Sequence, residues 1–127
     1  MNSPSKSQTL LDNMDWNILH FEQILKNKKT DYYRDAAIQR FCLVFDATQK
    51  TLRAFAEEKG ETVQTPEECF KFALFENWID DYFKLILKDY QSLKGGLETA
   101  LAENIYPRLE NHHNFFHKLH AILLNGN

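Results

Sequence analysis

The placement of helix breakers constrains this chain more than any other feature. Proline occurs only at positions 4, 66 and 107, and glycine only at 60, 95, 96 and 126. Proline removes a backbone donor and glycine loosens the backbone, so the long unpunctuated stretches between them favour helix. Within those stretches apolar residues recur at alternating spacings of three and four, the signature of a helix with one buried face. Leu11, Met14, Ile18, Phe21 and Leu25 predict a first helix from about Gln8, capped by Ser7, to about Lys28. Ile38, Phe41, Phe45, Thr48, Leu52 and Phe55 predict a second, running from near Asp31 toward Gly60. At about 1.5 Å per residue it would be roughly 40 Å long.

Thr65, Pro66 and Glu68 carry the strongest local signal. A threonine cap, proline at the first helical position and glutamate three residues after the cap open a short third helix through Phe75. Ile79, Phe83, Ile86, Tyr90 and Leu93 predict a fourth helix stopped by Gly95-Gly96. A last helix from about Leu97 to Asn125 aligns Ile105, Leu109, His112, Phe116, Leu119 and Leu123, with a kink or break expected just before Pro107. No strand-like alternation or repeat appears. The expected fold is all-α, an antiparallel up-and-down four-helix bundle with one short additional helix. Residues 1–7 are expected to form a disordered N-terminal tail and residues 8–125 a single domain, which 127 residues suffice to fill.

Composition narrows the function classes. Ten Phe, five Tyr and two Trp supply a core, while a net charge of −3 argues against a broad nucleic-acid surface, which needs clustered Lys and Arg. Cys42 and Cys69 each lie in an apolar helical pattern and far from CxxC spacing, so reduced core thiols and a cytoplasmic location are expected. No run is apolar and long enough for a membrane span, and Met1–Ser7 has no signal-peptide pattern. There is no phosphate loop, nucleophile elbow or HExxH, and no cofactor is expected.

Chemistry must then be sought in side chains that the apolar seam does not explain. Gln39, Asp46 and Lys50 form a polar strip beside Ile38, Phe41 and Phe45, with Asp46 and Lys50 spaced as an ordinary surface ion pair. In the last helix Glu110, His113, His117 and His120 fall at spacings of three, four and three, a set suited to zinc or nickel, although a polar strip facing solvent or a dimer partner explains it as well. His112 falls on the apolar seam, where a core histidine bonded to another helix is expected. Arg108 and His113 supply an arginine and a histidine five residues apart, a spacing read as coincidence rather than as a nuclease site.

The order Ile38-Gln39-Arg40-Phe41, Phe45-Asp46, Lys50, Gly60, Thr65-Pro66-Glu67, Ala73 and then Trp78 to Asp89 resembles the nucleotidyltransferase substrate-binding proteins, small helical bundles of the HEPN group. The resemblance covers about residues 8 to 124. It implies a non-catalytic homodimer that partners a separately encoded minimal nucleotidyltransferase and helps form the cleft for its substrate, sharing a nucleotide with that partner. It carries over Gln39, Arg40 and Lys50 as substrate- or partner-binding residues, and Lys88 as a residual cation. Related HEPN members are ribonuclease toxins that use Arg-Asn, three residues, then His. Here those positions read Lys88-Asp89, three residues, then Leu93, and leucine can neither take nor give a proton. Cys42 and Gln49 also replace the Glu and Trp usual in the family. No residue is therefore expected to be catalytic. The alternatives are a ribonuclease toxin with a degenerate or displaced site and a homodimeric scaffold using an apolar patch around Trp16, Trp78 and Phe115.

Overall fold

A computed structural model of the chain describes residues 5–125. It is an all-α bundle of six helices: α1 Lys6–Leu25, α2 Asp31–Glu58, α3 Pro66–Phe75, α4 Phe83–Ser92, α5 Thr99–Ile105 and α6 Leu109–Leu124. Among the described residues there is no strand, and no helix is long and apolar enough to cross a membrane.

Caps set the boundaries. The first helix is capped by Ser5, whose Oγ accepts from Gln8 N at 3.1 Å, two residues before the expected cap. Ser7 is buried instead, and its hydroxyl donates to Glu58 at the far end of α2. Lys6 and Ser7 thus belong to α1, while the first four residues of the expected tail lie outside the described residues. Thr30 caps α2 through Tyr33 N, and Asp31 adds a negative charge at the positive end of the helix dipole. This helix ends where expected. Gly60 adopts φ 78°, and Glu61 N–H returns to Ala56 O while Gly60 N–H returns to Glu57 O, satisfying two terminal carbonyls. Thr65 and Glu68 close both halves of the capping box that opens α3. The same kind of stop recurs after α3, with Asn77 at φ 63° and Trp78 N–H bonded to Ala73 O.

Two further boundaries differ from expectation. Ile79 precedes α4 rather than lying in it, because Asp80 Oδ1 accepts from Tyr82 N and holds residues 80–82 in a turn. The expected last helix is two, α5 and α6, joined by a 3₁₀ turn at Tyr106–Arg108 around Pro107. The missing proline N–H breaks the ladder at that point.

α2 lies at the centre and packs against α1, α3, α5 and α6. Phe21, Phe41, Phe45, Phe70, Phe83 and Phe116 are fully buried and form the middle of the core. Each such ring contributes about 1.5–3 kcal/mol from leaving water. Phe41 touches Phe21 and Phe116, and Phe45 stacks on Tyr90 with ring centroids 3.7 Å apart.

Candidate functional site: a groove beside α2 and a buried Asp89 cluster

The α2 surface that α1 and α6 leave uncovered runs through Tyr32, Asp35, Ala36, Gln39 and Cys42. With Leu93 and Leu97 from the segment after α4, and Ile38 below, these residues enclose a groove of about 520 Å³. Gln39 is exposed there, as its place opposite the Ile38–Phe41 seam requires. Burial, and secondarily the nearby charge of Asp46, pushes the Cys42 thiol up to about 11, so it lines the groove as a neutral group. Among the described residues Asp35 is the one carboxylate in the lining, and its Oδ1 accepts from Arg34 Nε at 2.9 Å. No lysine or arginine among the described residues lines the groove.

The other residues expected at a binding site do not gather there. Arg40 turns toward α1, with its guanidinium 6.0 Å from the centre of the Trp16 ring. Lys50 lies farther along α2 and Lys88 on α4, both exposed and neither in the groove lining. The expected ion pair between Asp46 and Lys50 is absent among the described residues. Asp46 instead accepts from Tyr90 Oη at 2.6 Å, a contact between helices that spacing within one helix does not disclose.

A second cluster was hidden from the sequence. Asp89, 2% exposed, accepts at Oδ1 from Arg108 Nη2 at 2.7 Å. Its Oδ2 accepts from Arg108 Nε and from His112 Nε2, each at 2.8 Å. With Nε2–H donating to Asp89, His112 Nδ1 accepts from Tyr82 Oη, 2.8 Å away. His112 is fully buried, stacked on Phe41 at 5.1 Å, and is the helix-linking core histidine its position on the seam suggests. Burial pushes the Asp89 carboxyl up, but bonds from His112 and Arg108 and the charge of Arg108 outweigh that and hold it below the ordinary carboxylate range. Both nitrogens of His112 are partnered, so the cluster clamps α4 to α6. The clue in the sequence is Arg108 and His112 one turn apart, facing a lone carboxylate on a neighbouring helix. Arg108 thus meets His112 and not His113.

His113 lies elsewhere on α6, edge-on to Phe21 at 5.7 Å, with His117 stacked on it at 6.0 Å. His120 Nε2 is 3.1 Å from Leu11 O, and its other nitrogen is 3.9 Å from Asp15. Of the Glu110, His113, His117 and His120 strip, His113 and His120 therefore pack against α1 while Glu110 and His117 are exposed, and no three His, Cys, Asp or Glu side chains among the described residues gather as metal ligands. The apolar patch of Trp16, Trp78 and Phe115 that the scaffold alternative calls for does not form either. Trp78 is buried against Phe55 and Phe72, and Phe115 is half-buried beside Tyr82 and Phe70.

No protein family model matches the chain, and no curated protein matches it. A crystal structure of a protein from Thermus thermophilus is similar over 87% of this chain and 98% of that one, with a TM-score of 0.78 and 22% identity. The likeness is one of fold.

Proposed function

We propose that the chain is a non-catalytic, substrate-binding accessory subunit, working as a homodimer beside a separately encoded minimal nucleotidyltransferase. The observation that carries this reading is that Gln39, the carried-over binding residue, lines a groove of about 520 Å³ together with Cys42 and Leu93, which stand where the family has Glu and the toxins have His. That volume suits a small molecule. A ribonuclease reading asks for an arginine and a histidine presented together to RNA, and it is disfavoured by the complete burial of His112 and by His113 lying against Phe21. The test is co-expression with a minimal nucleotidyltransferase from the same genome, followed by size-exclusion chromatography with light scattering. A stoichiometric complex containing two copies of this chain is the expected result. Separate elution of the two proteins at micromolar concentration would overturn the proposal.

A further inference from the structure

The chemistry of the groove says which part of a substrate it can hold. Tyr32 stands at its mouth with 74% of its surface exposed, and its ring neighbour Tyr33 meets it at a steep angle, 75° between planes. A flat aromatic face is therefore open for stacking, a contact that any nucleobase can make. Gln39 lies seven residues further along α2, two turns away on the same face, with Asp35 between them. The glutamine amide presents a donor and an acceptor side by side, the pair that matches the amino group and adjacent ring nitrogen of adenine. Asp35 Oδ1 is occupied by Arg34, while Oδ2 accepts no bond from a described residue and is available to an exocyclic amine. Leu93 and Leu97 close the opposite wall with apolar surface suited to the second face of a ring.

Charge excludes the rest of a nucleotide. Among the described residues the lining holds one carboxylate, already paired with the buried Arg34, a neutral thiol and no lysine or arginine, so a phosphate placed there would find no free cation in the lining to neutralise it. We infer that the groove formed by Tyr32, Asp35, Gln39, Leu93 and Leu97 binds the base of an aminopurine nucleoside and leaves any phosphates outside. This rests on reading the groove as the accessory subunit's substrate site, and it assigns the base to this chain and the phosphates to its partner.

The experiment is isothermal titration of the full chain, without a partner, with adenosine, uridine and ATP. Saturable adenosine binding is expected, with uridine weaker and ATP no tighter than adenosine. Gln39→Ala should weaken adenosine about tenfold, the cost of losing one bidentate base contact, and Tyr32→Ala should weaken adenosine and uridine alike. Both positions are exposed, so each variant should keep the parent's circular dichroism and melting temperature. Leu93→Trp, which fills the groove from its other wall, should abolish binding and guards against an uninformative single variant. Absence of saturable adenosine binding, tighter binding of ATP, or unchanged affinity in Gln39→Ala would each overturn the assignment. If adenosine fails while the heteromeric complex forms, the ligand assignment falls alone. Saturable adenosine binding without a complex would instead sink the accessory-subunit reading and leave the base site standing.

Discussion

Asp89 is a buried carboxylate held by donors from α6 and the turn that precedes it, and its stabilising effect follows from that. An aspartate in an unfolded chain titrates near about 3.9. In the folded protein the carboxyl is held lower, so its contribution is fully present above the unfolded value and is lost as pH falls through the folded one. Asp89→Asn keeps the volume but removes the charge that Arg108 and His112 both address. At neutral pH this substitution should cost about 2–4 kcal/mol in urea denaturation. The gap between wild type and variant should narrow as pH falls below about 4. An equal gap at pH 7 and pH 3 would show that Asp89 acts through shape rather than charge. Its partners were not legible from sequence, because spacing within a helix reports which residues share a face but not which residue of another helix they meet.

At the scale of the helices, sequence was most readable where the signal is local. The capping box at Thr65, the glycine stop at Gly60 and the break at Pro107 depend on neighbours a few residues away, and all three are present. The start of α1 differs because Ser5 and Ser7 are both competent caps and the choice depends on Ser7 reaching Glu58 across the bundle, and the turn before α4 because Asp80 takes the Tyr82 N–H. Thr65→Ala should therefore cost about 1 kcal/mol. For a chain of this size that is a fall in melting temperature of roughly 3–5 °C, which calorimetry would resolve. The short α5 depends on a different anchor. Arg34, buried at the start of α2, bonds Glu103 of α5 at 3.1 Å, and Lys29 reaches the same carboxylate at 2.8 Å. In Arg34→Met the amides of Thr99–Ile105 should exchange with deuterium faster than in wild type, while those of α2 around Phe41 keep their protection. Uniformly faster exchange would mean that Arg34 supports the whole bundle and not α5 in particular.

Across the whole molecule, α2 serves both as the centre of the core and as one wall of the groove, with its two uses separated by rotation about the helix axis. Ile38, Phe41 and Phe45 point inward and are at most 2% exposed, whereas Gln39 and Leu43, between them in sequence, are exposed. The segment most distinctive in sequence is therefore mixed. Its aromatic members were legible as core from period alone, but Arg40, Lys50 and Lys88 do not line the groove with Gln39, because a polar residue's spacing leaves its tertiary neighbours open. The mixture makes a stringent whole-protein prediction. Phe41→Ala removes a ring lodged among Phe21, His112 and Phe116 and should cost about 3–5 kcal/mol. Against a total stability on the order of 5–15 kcal/mol, that variant should unfold at distinctly lower urea or fail to fold. Gln39→Ala, two residues away, should shift stability by no more than about 0.5 kcal/mol. Any loss of partner or ligand binding in Gln39→Ala then reports the groove itself. Comparable destabilisation by the two substitutions would mean that Gln39 is tied into the fold, and a binding defect at that position would no longer locate a site.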